Sequence, residues 1–137
     1  MSASREQILL MLYDGAIRFT RQAMYGIEED NIAVFHHGIK KTMAIITEFS
    51  NSLDHAIGQE IAENLDALYN FMIRELTLAN LHKDIEKLKT VEKLLVDLRA
   101  TWGEAVEINE KEQMHQALAS QAGSTVREGY IPLSISR

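Results

Sequence analysis

Apolar side chains recur at helical spacing in four successive stretches of this chain, separated by short clusters of polar residues and glycine. In the first stretch Leu9, Leu12, Tyr13, Ala16, Ile17, Phe19, Ala23, Met24 and Ile27 cover roughly 180° of a helix, against the stripe of about 100° that faces a single core. Ser4 followed by Gln7 is a capping-box pattern, so this helix is expected to start there and to run to about Glu28. An arc this wide has two explanations. Either the helix is central and its own bundle covers it on two sides, or one side meets another subunit, a partner chain or a membrane surface.

After the turn Glu28-Glu29-Asp30-Asn31, Asp30 or Asn31 can cap a second helix that carries Ile32, Phe35, Ile39, Ile46, Phe49 and Leu53 on one side. Gly38 within it costs about 1 kcal/mol relative to alanine, which marks it as a point of close approach by a neighbouring helix. A second turn spans Asn51 to Gly58. The third stripe is Ile61, Leu65, Leu68, Met72, Leu76 and Ala79, widened by Tyr69 and Ile73. Beyond a break at Asn80 to Asp84, a fourth helix places Ile85, Leu88, Val91, Leu95, Leu98 and Trp102 inward, with Trp102 expected mostly buried in the core. Lys87, Lys89, Lys93 and Arg99 alternate with Glu86, Glu92 and Asp97 in the manner of a solvated helix face. Short connections between long helices favour antiparallel neighbours. The expected fold is therefore all-α: an antiparallel up-down-up-down four-helix bundle over residues 1–105 with a C-terminal extension over residues 106–137.

In that extension Val106, Ile108, Met114 and Leu118 either lengthen the fourth helix or form a short one of their own, and Ala122-Gly123-Ser124-Thr125 is expected to end the helical pattern. The apolar cluster Tyr130-Ile131-Pro132-Leu133-Ser134-Ile135 is too short to build a core and reads as the end of a flexible tail that can reach back to compete for a groove in cis.

Composition excludes several function classes. The 137 residues make one domain large enough to bury a continuous core. With no cysteine there is no disulfide framework, thiol nucleophile or thiolate metal site, which suits a reducing compartment and a cytoplasmic location. Apolar runs are broken by charge well short of the 18 or so residues of a membrane span, and with no basic n-region ahead of an apolar stretch and cleavage site no export signal is expected. A formal charge of -6 opposes binding to phosphate backbones, so neither nucleic acid nor membrane insertion is expected.

Candidate chemistry is sparse. A two-metal site in a helical bundle uses two Glu-x-x-His pairs plus two further carboxylates, and only Glu112 to His115 has that spacing. His36 and His37 are adjacent and diverge by about 100° on a helix, while His55 and His82 fall in or near turns. Neither a Gly-x-Ser-x-Gly turn nor a glycine-rich phosphate cradle occurs. The expectation is no catalytic residue, no metal, no cofactor and no enzyme.

Four segments carry a family resemblance: Ser4 to Phe19 with its Leu12-Tyr13-Asp14-Gly15-Ala16-Ile17-Arg18-Phe19 run, Ser52-Leu53-Asp54, Ile61 to Tyr69 with Asn64-Leu65-Asp66-Ala67-Leu68-Tyr69, and Leu98-Arg99-Ala100-Thr101-Trp102. In order and spacing these resemble the FliS family of flagellin export chaperones across about residues 4–105. The resemblance implies a cytoplasmic antiparallel bundle that binds the disordered C-terminal segment of flagellin over apolar grooves and prevents premature polymerisation. It also leaves room for other flagellar export or regulatory proteins as partners. Two features depart from the family pattern. Only Met1-Ser2-Ala3 stands ahead of Ser4 where members carry a leader, so either the chain is trimmed or the groove is uncovered at that end; and the family implies no role for the extension.

An excess apolar arc suits helix-in-groove recognition with anchors at i, i+3, i+4 and i+7. On that basis the expected partner-binding residues are Leu9, Leu10, Tyr13, Ile17 and Met24 on the first helix and Leu65, Leu68, Tyr69 and Met72 on the third. The tyrosines offer aromatic area with a polar tip, and Met11, Met24, Met43 and Met72 offer adaptable surface. The competing function is a structural or homodimeric bundle that uses the same apolar surface against itself without binding flagellin.

Overall fold

The computed structural model describes residues 4–53 and 58–129, with side chains as far as residue 122. It contains four helices: α1 (Arg5–Glu28), α2 (Ile32–Asn51), α3 (Gln59–His82) and α4 (Ile85–Gly129). Among the described residues there is no strand, and the all-α bundle expected from the pattern is what forms.

Local chemistry sets the helix boundaries. Ser4 accepts a hydrogen bond from the Gln7 amide at 3.1 Å, filling one of the orphan donors of the first turn of α1. Asn31, not Asp30, caps α2, its side chain accepting from the Val34 amide at 3.2 Å. Asp30 instead takes a left-handed backbone at φ 53, which acidic and amide side chains tolerate, and so reverses the chain between α1 and α2. Lys83 ends α3 in the same conformation at φ 51, its amide bonding to the Ala79 carbonyl.

Pairs of residues in contact show the antiparallel order. Gly26 lies against Phe35, Gly38 against Phe19 and Ala23, and Gly15 against Ile45, so α2 descends as α1 climbs. Between α2 and α3, His36 meets Asn80 at 2.9 Å while Ser50 donates to Asp66 at 2.8 Å. Arg21 pairs with Glu92 at 2.6 Å and Arg99 with Asp14 at 2.9 Å, joining α1 to the bundle part of α4. Lys87 and Glu75 pair at 3.5 Å between α4 and α3. The two α1–α4 ion pairs sit one heptad apart with opposite polarity. Sliding α4 by seven residues would set Asp14 against Glu92 or Arg21 against Arg99, so these charges favour the observed register. This corrects the reading of Lys87, Glu92 and Arg99 as members of a merely solvated face.

Gly38 confirms its expected role as a contact point. A Cβ there would lie 2.6 Å from both the Phe19 carbonyl oxygen and the Ala23 nitrogen, and one at Gly26 would lie 2.5 Å from the Phe35 nitrogen. The two helices meet backbone to backbone at these glycines.

The wide apolar arc of α1 is absorbed inside the bundle. Tyr13, Ala16, Ile17 and Ala23 are buried, and Leu9, Leu12, Phe19, Met24 and Ile27 are half-buried. Phe35, Ile39, Ile46 and Phe49 from α2, Leu65, Tyr69, Met72 and Leu76 from α3, and Leu88, Val91 and Leu95 from α4 complete the core. Thr20 and Thr42 are buried with it. Their hydroxyls donate to the Ala16 and Gly38 carbonyls one turn back, at 2.7 and 2.8 Å, and stand 3.3 Å from each other.

Cα packing divides the chain into one unit through Thr101 and a second from Trp102 onward. Trp102 is half-buried, where the stripe had placed it mostly in the core. The helix continues past Ala122-Gly123-Ser124-Thr125 to Gly129. Glycine and serine lower helix stability by about 1 kcal/mol or less each and do not forbid it; only proline does, and the sole proline is Pro132. The Tyr130 to Ile135 cluster, His55 and Asp54 lie outside the described residues.

Candidate binding surface

Tyr13 on α1 and Tyr69 on α3, 56 positions apart in sequence, bring their hydroxyl oxygens to 3.1 Å inside the bundle. The Phe49 ring stacks on Tyr13 at 4.3 Å between centroids, with an interplanar angle of 27°, and lies 5.7 Å from the Tyr69 ring. Three helices thus meet at an aromatic cluster that contains a hydroxyl pair. Burial raises the Tyr69 hydroxyl above its ordinary value of 10.0; the hydrogen bond with Tyr13 lowers it in part, and Asp66 raises it further. Tyr69 therefore stays neutral at physiological pH, and the hydroxyl pair acts as a polar tie within an apolar core.

The nine residues expected to bind a partner divide by accessibility. Tyr13, Ile17, Leu65, Tyr69 and Met72 are buried, and Met72 and Tyr13 are completely enclosed. Leu9, Leu10, Met24 and Leu68 are half-buried and keep part of their surface open. A helical wheel ranks residues by their distance from the arc centre, and the arc centre is where the bundle itself packs; that is why the strongest sequence candidates lie deepest.

Large apolar side chains are exposed elsewhere. They include Ile8 at 47 % and Met11 at 65 % of full accessibility on α1, where Tyr25 is open too, and Ile61 at 54 % on α3, where Leu78 and Leu81 are also exposed. Met11 lies on the same side of α1 as Asp14, Arg18 and Tyr25, which are all exposed. An apolar residue among polar neighbours, outside the arc, was the signal available in the sequence. Ile61 belonged to the α3 stripe yet stands open at the first turn of its helix.

No group of histidine and acidic residues among those described could hold a metal ion, and no described helix is long and apolar enough to cross a membrane. The fold and its surface define an all-α bundle protein whose exposed apolar side chains are concentrated on helical faces. The sequence matches the family described as flagellar protein FliS over residues 1–109. Flagellar secretion chaperone FliS of Salmonella typhimurium is 37% identical over 103 residues, covering 74% of this chain and 76% of that protein. The Bacillus subtilis protein of the same name is 31% identical over 112 residues, 82% of this chain and 83% of its own length. The Escherichia coli protein is 33% identical over 107 residues, with 77% and 79% covered. This chain belongs to the FliS family of flagellar secretion chaperones, which are not enzymes.

Proposed function

We propose that this protein is a cytoplasmic export chaperone that binds the disordered C-terminal segment of flagellin and so prevents its premature polymerisation. The observation that carries the reading is the exposure of Ile8 and Met11 on α1, in a chain whose relatives are named as flagellar secretion chaperones. Leu9, Leu10, Met24 and Leu68 border the client surface, and Ile8, Met11 and Ile61 extend it. Tyr13, Ile17, Leu65, Tyr69 and Met72 are buried and act indirectly, by holding together the helices that carry it. A disordered segment ordered on such a surface loses chain entropy, so the apolar contacts must exceed that cost.

Calorimetric titration with a peptide of the cognate flagellin C-terminal segment tests this. Met11→Asp should weaken binding by about 1 to 3 kcal/mol, the scale of losing one buried anchor, with the bundle intact. Tyr13→Asp should instead unfold the bundle. A protein that forms tight dimers and leaves the peptide free would identify a structural bundle in its place.

A further inference from the structure

The outer face of α3 carries a second, independent surface. Ala67, Phe71, Arg74, Leu78 and Leu81 follow one another at alternating spacings of four and three, which aligns them along one side of the helix. That side is turned away from the buried row of Leu65, Tyr69, Met72, Leu76 and Ala79. Leu81 is 72 % exposed and Leu78 is exposed as well, while Phe71 is half-buried. Arg74 lies over the Phe71 ring, its guanidinium carbon 6.0 Å from the ring centroid, and forms no ion pair among the described residues.

Although the chain as a whole is acidic, this stretch is locally poor in carboxylates. Between residues 67 and 83 the only carboxylate is that of Glu75, and it is engaged by Lys87. Arg74 and Lys83 are the bases of the same stretch. The stripe is therefore apolar with a free guanidinium at its middle. A second copy of this chain does not suit it, because a two-fold contact centred on the stripe would set Arg74 against its own symmetry mate. What fits is a helix whose apolar side carries a carboxylate, able to cover Phe71, Leu78 and Leu81 while pairing with Arg74.

We propose that the outer face of α3 docks an acidic amphipathic helix of a partner protein, at a surface separate from the one that binds the client. Removal of Arg74 from water by the incoming helix strengthens its pairing with the partner carboxylate relative to an exposed ion pair. Lys83, at the end of the stripe, adds attraction of the same sign without a fixed geometry.

The test uses the full chain and a fluorescent synthetic peptide about five helical turns long, with leucines at i, i+4, i+7 and i+11 flanked by glutamates. A second peptide has lysines in place of the glutamates. Anisotropy should show the glutamate peptide binding, with a loss of about tenfold on Arg74→Glu and a comparable loss on Leu81→Asp. Both positions are exposed, so circular dichroism should show the helices intact. The lysine peptide should gain affinity on Arg74→Glu, a rescue that damage to the bundle cannot produce. Equal binding of the two peptides, no binding of either, or displacement by the flagellin C-terminal segment would overturn the proposal. Self-association of the chain that Leu81→Asp abolishes would also overturn it, by assigning the stripe to a second copy.

Discussion

The bundle helices and the distal part of α4 share one backbone conformation and almost nothing else. Through residue 101 every helix contributes buried side chains, from Tyr13 and Phe35 to Met72 and Leu88. From Glu107 to Ala122 every side chain is exposed, including Ile108, Met114 and Leu118. In the bundle, helix formation follows from burying one face. The distal segment is supported locally: Glu, Lys, Gln, Ala and Leu are strong helix formers, and Lys111 pairs with Glu107 one turn away at 3.3 Å. It also continues a helix that is already formed, which spares it the nucleation step that makes isolated helices marginal. Helical structure is thus no evidence of a core, and an apolar residue on a helix is no evidence of burial.

The strongest way to break this contrast is paired truncation. Phe49→Ala should destabilise the protein by about 3 to 5 kcal/mol, because it empties the aromatic cluster, whereas Leu118→Ala should stay within about 0.5 kcal/mol. Urea denaturation of the two variants measures the difference; similar losses would place Leu118 in a packed environment.

Gly38→Ala is the next largest test. Helix propensity alone favours alanine by about 1 kcal/mol, yet its methyl would press on the backbone of α1, so a net loss of about 1 to 3 kcal/mol is expected. A raised melting temperature would show that the two helices can separate at no cost.

Tyr69→Phe removes one member of the hydroxyl pair and should cost about 0.5 to 1.5 kcal/mol near neutral pH. Its pH dependence sharpens the point. With the folded Tyr69 held above 10.0, the unfolded chain gives up that proton first as pH rises. The stabilisation is therefore complete below about pH 10 and lost above it, so Tyr69→Phe should flatten the alkaline fall in stability expected of the native protein. Equal slopes for both proteins would show that the ionisation of Tyr69 is the same in the two states.

Asp14→Asn should have the smallest effect, at most about 1 kcal/mol, since both partners of its ion pair remain in contact with solvent. Combined with Arg21→Gln it should broaden the unfolding transition if α4 then samples a second register. A transition as sharp as the native one would assign register to packing alone.

Much of this architecture was legible in the sequence because it rests on short-range chemistry. Ser4 and Gln7 marked the start of α1, and Asn31 was one of two residues able to cap α2. Gly38 marked a close approach because a glycine inside a helix needs a compensating contact. The apolar periods of α2 and α3 gave their inward faces. What the pattern lacked was lateral context. It could not show that α2 and α4 flank α1 on both sides, so the wide arc that first pointed to a partner is largely internal. Nor could it reveal the meeting of Tyr13 with Tyr69, which depends on the packing of helices distant in sequence. The helix through Ala122-Gly123-Ser124-Thr125 was missed because weak helix breakers were given the force that belongs to proline.

The backbone contacts at Gly26 and Gly38 bear on the order in which the molecule assembles. They join helices separated only by residues 29–31, so the loop to be closed is short and its entropy cost is low. The ion pairs between α1 and α4, by contrast, link residues 71 and 85 positions apart. An α1–α2 hairpin is accordingly a cheap nucleus for this chain, as is an α3–α4 hairpin across residues 83–84, and contacts between α1 and α4 are expected late. A lesion at Gly38 should therefore slow folding and a lesion at Arg99 should hasten unfolding, which would make the protein kinetically fragile in opposite senses along two edges of α1.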